Sequence, residues 1–254
     1  MTALLQDQVA FVTGAGSGIG RAGARALADE GAMVVVTDLD AGLARAVADE
    51  IAASNGRAEA RGLDVTRDDA VIAAIDATVA RHGRLDILHS HAGVQLSGGL
   101  SEATVDDMDR SWALNVRAHF VAARAAVAHM KRQACGAIII TASNSGVQVD
   151  RDMIAYATTK HAVIAMTRQI AADHARFNIR CNALCPGFVD TPFNAGFQQQ
   201  LGGRGGLENY VRTAIPMGRW ADLDEIAQGI VYLASSRSGF MTGHALVMDG
   251  GESL

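Results

Sequence analysis

What most constrains this chain is an alternation of two periodicities that runs from one end to the other. Short apolar runs rich in β-formers, "VAFVTG" (9–14), "MVVVTD" (33–38), "LDILHS" (85–90), "GAIIITAS" (136–143) and "IRCNALCPG" (179–187), take turns with longer stretches in which apolar residues recur at helical spacing. A strand that is apolar at every position is buried on both faces. With a helix following nearly every strand, the layered solution is a doubly wound parallel sheet flanked by helices. Weaker strand patterns at "AEARGLDV" (58–65) and "ALVMDGG" (245–251) bring the total to about seven strands. Helices are predicted over 20–31, 41–56, 66–83, about 104–133, about 153–177 and about 223–235. The helix at 66–83 reads as capped by Thr66 and stopped by Gly83, whereas 190–214, with "LGGRGG" at its middle, reads as irregular. No linker or repeat interrupts the pattern, so residues 1–254 read as one domain.

Composition removes several function classes. A net charge of -5 and a pI near 5.9 argue against nucleic acid or anionic membrane as a partner. No apolar run approaches the ~20 residues of a membrane span. The opening "MTALLQDQVAFVTG" lacks a basic segment and is interrupted by Asp7, so a soluble, unprocessed, cytoplasmic protein is expected. Cys135, Cys181 and Cys185 make no disulfide framework, and the pair in "CNALC" reads as small buried side chains. His89 and His91 share one side of an extended strand, but spacing supplies no third ligand, and no metal is expected.

"TGAGSGIG" (13–20) follows the first strand and opens the first helix. Gly14, Gly18 and Gly20 would let the backbone turn sharply and let a pyrophosphate approach the free N–H groups of the helix start. Asp38 ends the second strand, where a carboxylate can accept from the adenosine ribose hydroxyls and repel a 2′-phosphate. No Arg or Lys stands at Ala15, Ser17 or Leu39 to receive one, so NAD is predicted over NADP. Asp64, at the end of the third strand, lies beside the same groove and would meet the adenine.

"YATTK" places Tyr156 and Lys160 four residues apart, on one face of a helix. The chain has 22 basic residues, and only Lys131 and Lys160 are lysines. A lysine kept against that bias suggests ammonium chemistry, which arginine cannot supply. A phenol titrates near 10. The lysine cation and a positively charged nicotinamide would favour the phenolate, and a shift of roughly three units would bring the pair into the range of acid–base catalysis.

Taken together, "TGAGSGIG", "LDV" (63–65), "HAG" (91–93), Asn115 in "LNV", Ser143 in "ITAS", "YATTK", "NALCPGFVDTP" (182–192) and the terminal "DGG" resemble the short-chain dehydrogenase/reductase family over nearly the whole length. The resemblance implies a single-domain Rossmann fold and a homotetramer built on the helices around 104–133 and 153–177. It implies that Tyr156 is the catalytic acid/base and Lys160 its partner, that Ser143 orients the substrate oxygen, and that Asn115 holds a water in a proton relay. Ile19 would contact the pyrophosphate, and Thr191 and the Val189 backbone the nicotinamide carboxamide. Ser17, Val65, Ala92, Gly93, Pro186 and Gly187 fall at further cofactor positions. The chain departs from the family at "SHAG" (90–93), where Ser90 and His91 replace two asparagines. It also resembles the family in a substrate lid, about 190–214 and running on through "GLENYVRTAIPMGRW" (206–220).

The expected activity is interconversion of a secondary alcohol and its ketone. Asn144, Gln148, Asp150, Arg151 and Asp152 make the segment before Tyr156 polar, which suits a sugar, polyol or hydroxy acid. A 3-oxoacyl thioester reductase of the same family is the near alternative. A catalytically silent NAD(H)-binding sensor or scaffold is the alternative of another class.

Overall fold

The computed structural model describes residues 3–254; residues 1 and 2 of the N-terminal stretch read above lie outside the described residues. The strands are β1 (Val9–Thr13), β2 (Met33–Asp38), β3 (Arg57–Gly62), β4 (Ile87–Ser90), β5 (Gly136–Thr141), β6 (Ile179–Pro186) and β7 (Ala245–Met248). They form one parallel sheet in the order β3-β2-β1-β4-β5-β6-β7. The chain winds outward from β1 to β3, then returns to lay β4 against the other side of β1 and winds the opposite way. The C-terminal ends of β1 and β4 therefore bound a crevice at the switch point, where doubly wound sheets bind ligands.

The central strands are apolar at every position because each face has its own core. In β1, Ala10 and Val12 pack on one side and Phe11 on the other; in β5, Ile139 faces the first layer and Ile138 and Ile140 the second. The first layer is α1 (Gly18–Asp29), α2 (Ala41–Ala53) and α9 (Leu223–Ala234). The second is α3 (Asp68–His82), α5 (Ala118–Gln133) and α6 (Ile154–His174). Each fully buried Val, Leu or Ile contributes about 1.5–3 kcal/mol. The edge strand β3 is different: Arg57 and Arg61 keep it polar and partly exposed, as protected sheet edges are.

Two elements differ from the sequence reading. Helix α3 begins after Arg67, and Thr66 does not cap it. Instead the Thr66 hydroxyl and N–H both donate to Asp64 Oδ1, at 2.7 and 2.9 Å. The threonine closes a local turn on the preceding acid, a competing use of such side chains. The segment 190–214 is not irregular: it holds α7 (Ala195–Gln200) and α8 (Arg204–Ala214), separated by a turn in which Gly202 and Gly203 have positive φ. Packing overrides glycine content here. Leu207 and Val211 are buried from α8, and Phe188 gathers Phe197, Tyr210 and Trp220 around it at centroid distances of 5.1, 5.4 and 6.0 Å.

Candidate active site

A cavity of about 590 Å³ runs along the carboxyl ends of the strands. Its nucleotide end is built mostly from backbone. Helix α1 starts at Gly18 after Ser17, with no side-chain cap and no acid in its first turn, which leaves its leading N–H groups to an external anion. Gly14 has φ +64°, and a Cβ there would stand 2.9 Å from the Ala92 Cα. Only glycine lets the β1 turn and the β4 turn meet so closely. The two turns are also tied by the Thr13 hydroxyl, which accepts from the N–H groups of His91 and Ala92 at 2.9 and 3.1 Å. Asp38 Oδ2 accepts from the Gly16 N–H at 2.9 Å, so the acid at the end of β2 braces the glycine turn and also faces the cavity.

Ser17, Gly18 and Ile19 line this end, with Asp64 and Val65 from the loop after β3. Asp64 is held below its usual range, first by the Thr66 hydroxyl. Gly20 does not line the cavity. It lies behind the turn, where a Cβ would strike the Gly14 carbonyl oxygen. Pro186, Gly187, Val189 and Thr191 reach the cavity from the end of β6 and its following loop, and Thr191 lies over Gly18. These features fit a dinucleotide: an uncapped helix start for the phosphates, a glycine floor, and a carboxylate one strand away for a ribose.

The other end is built from side chains. Ser143, Tyr156 and Lys160 all line it. Lys160, 2% exposed, donates to the Thr141 carbonyl at 2.9 Å, and its Nζ stands 5.5 Å from the Tyr156 ring centroid. Asn115 lies behind the wall, at the centre of a π-helical turn (Ala113–Arg117) between α4 (Val105–Trp112) and α5. Its side chain grips the Val94 backbone in both directions, at 2.8 and 2.9 Å, and donates to Thr159 at 3.1 Å. A Cβ on Gly93 would meet Asn115 Oδ1 at 2.8 Å and Lys160 Nζ at 3.7 Å, so that glycine gives both groups their place.

Burial governs the electrostatics of this pair. Burial of the phenol pushes Tyr156 up to about 12; the Ser143 hydroxyl offsets part of this and Asp150 adds to it. Burial also pulls Lys160 down to about 8. Desolvation disfavours the charged form of each group.

The replaced asparagines have found other partners. Ser90 Oγ lies 2.7 Å from Nδ1 of the buried His119, joining β4 to α5. The Thr141 hydroxyl stands between His89 Nε2 at 3.0 Å and His91 Nδ1 at 3.1 Å. One hydroxyl donates once, so it accepts from one ring and donates to the other. His89 Nδ1 is buried without a partner. A bare acceptor is cheaper there than an orphaned N–H, which assigns the His89 proton to Nε2 and the His91 proton to its own Nε2. Burial holds His91 at about 4 and His89 and His119 well below the usual range, so all three are neutral at pH 7. Cys181 and Cys185 are buried, and burial raises both thiols.

Thr141, Asn194, Tyr210 and Glu252 were not singled out from the sequence. Asn194 donates to the Val189 carbonyl at 2.6 Å, and Glu252 and Tyr210 line the catalytic end of the cavity. Thr141, Tyr210 and Glu252 have partners remote in the chain, so no local pattern marks them, whereas Asn194 bonds only five residues back. Among the described residues no helix is long and apolar enough to cross a membrane.

Comparison with known proteins places this geometry in context. The family described as Enoyl-(Acyl carrier protein) reductase matches residues 14–253. A 2-keto-3-deoxy-L-fuconate dehydrogenase of Xanthomonas campestris pv. campestris is 39% identical, over 98% of this chain and 81% of its own. A 2,5-dichloro-2,5-cyclohexadiene-1,4-diol dehydrogenase of Sphingobium indicum is 36% identical over 97% of both chains. Among solved structures, a gluconate 5-dehydrogenase from Burkholderia cenocepacia J2315, in complex with NADP and tartrate, superposes with a TM-score of 0.93 at 33% identity, covering 99% of this chain and 97% of that one. An NAD+-bound xylitol dehydrogenase superposes with a TM-score of 0.92 at 32% identity, covering 97% and 99%.

Proposed function

The chain belongs to the short-chain dehydrogenase/reductase family, and from that premise we propose that it is an NAD-dependent dehydrogenase interconverting a secondary alcohol and its ketone. The observation that carries this reading is the convergence of Ser143, Tyr156 and Lys160 on one cavity whose far end holds Asp38 beside an uncapped helix start.

In oxidation, Tyr156 Oη takes the alcohol proton while Ser143 Oγ donates to the same oxygen; in reduction the proton moves back. The nicotinamide, when bound, supplies the hydride acceptor or donor. Lys160, held against the Thr141 carbonyl, orients the ribose and keeps a cation under the phenol. The wide turn that carries Asn115 would hold the water that passes the proton onward. Asp38 supports NAD, since a 2′-phosphate would meet an uncompensated carboxylate there. Exposed Trp112 and Phe120, on α4 and α5, support the expected homotetramer. The segment 190–214 would act as the substrate lid. The relatives act on a sugar acid and on a diol, which leaves the alcohol open within this class.

A cofactor-linked absorbance screen over secondary alcohols, run with NAD⁺ and with NADP⁺, tests the reading. Turnover with NAD⁺ favoured by about tenfold or more is expected, the magnitude of one lost or repelled charged contact. Preference for NADP⁺ would overturn the role of Asp38. Tight NADH binding without turnover of any alcohol or ketone would favour a nucleotide sensor instead.

A further inference from the structure

The catalytic end of the cavity is walled by three segments far apart in the chain. They are the turn after β5, which carries Asn144 and Ser145, helix α8 with Tyr210, and the C-terminal residues with Glu252. Glu252 Oε1 accepts from the Tyr210 hydroxyl at 2.8 Å, and Oε2 accepts from the Asn144 amide at 2.9 Å. Asp150 accepts from the Ser145 hydroxyl and, at 3.2 Å, from the Gln148 amide. The two networks meet at Ser143, whose Oγ lies 3.1 Å from both Asn144 Oδ1 and Ser145 Oγ. Each carboxylate is thus one bridging side chain away from the serine beside Tyr156.

Among the described residues no basic side chain is bonded to either acid. Among the described residues Lys160 is the one Lys or Arg side chain lining the cavity, and it gives one N–H to the Thr141 carbonyl. Arg204 is forked on Asp190 at 2.7 Å and bonded to Glu208, outside the cavity. Arg151 is exposed and does not line it. The histidine that does, His91, is neutral at pH 7.

On the premise that the chain is an alcohol dehydrogenase, we propose that Asp150 and Glu252 are specificity-determining residues that select neutral, hydroxyl-rich alcohols, such as vicinal diols and polyols, and reject hydroxy acids. Carboxylate oxygens accept hydrogen bonds and donate none, so they pair with the free hydroxyls of a polyol. An entering carboxylate would join two acidic side chains in a half-enclosed space whose one lining cation, Lys160, is bonded to the Thr141 carbonyl. The sequence alone allowed an anionic substrate; the three-dimensional placement of Glu252 argues against it. The Glu252 carboxyl is raised by burial and by the nearby Asp150, with the bonds donated by Tyr210 and Asn144 offsetting part of this.

The test is a comparison of kcat/KM for matched pairs, ribitol against ribonate and butane-2,3-diol against 3-hydroxybutyrate. It is run on the wild-type enzyme and on Glu252→Gln and Asp150→Asn, with NADH affinity measured in parallel. The wild type is expected to favour the neutral member by about 100-fold or more, and each variant to narrow that ratio by about tenfold, mainly through a lower KM for the acid. NADH affinity should not move. A wild type that prefers the acid, or variants that change both members equally, would overturn the proposal while leaving the dehydrogenase reading intact. Absence of turnover with every alcohol and both cofactors would overturn that reading, and this proposal with it.

Discussion

The two ends of the cavity recognise their ligands by different means. At the nucleotide end, what faces the ligand is largely main chain: the β1 turn with Gly14, the open start of α1, and the loop that brings Thr191 over Gly18. Asp38, the side chain proposed to add selectivity, is itself bonded to the backbone of the turn. At the catalytic end side chains from three separate segments face the cavity, linked hydroxyl to amide to carboxylate to phenol from Ser143 through Glu252 to Tyr210. Backbone recognition is set by strand order and a few glycines. Side-chain recognition depends on each residue and can change without disturbing the sheet. A fold of this kind can therefore keep one cofactor site while its substrate site diverges.

Two substitutions should separate the ends. Tyr156→Phe removes the proposed acid/base but keeps the ring, so turnover is expected to fall by about 10²–10⁴-fold, the usual share of general acid–base catalysis. NADH affinity, measured by fluorescence titration, should stay unchanged. Gly14→Ala should do the reverse. The added methyl would press on the Ala92 backbone at a residue with φ +64°, a strain worth about 1–3 kcal/mol. NADH affinity and thermal midpoint are both expected to drop, with binding weakened by roughly 5- to 150-fold, while activity at saturating cofactor is partly recovered. If either variant impaired binding and chemistry alike, the division between the two ends would be wrong.

The same contrast decides what could be read from the residues alone. The glycine turn, Asp38 at its strand end, and the Tyr156–Lys160 spacing are local patterns, and local geometry dictates where they point. Apolar continuity in β1, β2 and β5 was enough to predict a sheet buried on both faces. The Glu252–Asn144 contact joins residues 108 positions apart, and nothing near either one announces it. The helices within 190–214 form because Leu207, Val211 and an aromatic cluster find burial there, against the glycine content. The Ser90–His119 pair was hidden for the same reason as the Glu252 contact. The acidity of Tyr156 was the least legible property of the site. Helical spacing correctly places a cation near the phenol, but the balance between attraction and desolvation depends on everything around both groups.

That balance gives the chemistry its direction with pH. Oxidation requires Tyr156 to receive a proton and so should accelerate as pH rises, while reduction requires the protonated phenol and should slow. With the phenol pushed up to about 12 and Lys160 down to about 8, the protein alone does not supply a phenolate at neutral pH. The positive charge of an oxidised nicotinamide is the remaining source of the shift. The direct measurement is phenolate difference absorbance across pH, with and without saturating NAD⁺, using Tyr156→Phe to isolate the signal of Tyr156. The account predicts titration near 12 for the protein alone and a fall of about two units or more when NAD⁺ is bound, the size a nearby charge produces in a buried site. A Tyr156 that titrates near neutrality without cofactor, or one that NAD⁺ leaves unmoved, would contradict it.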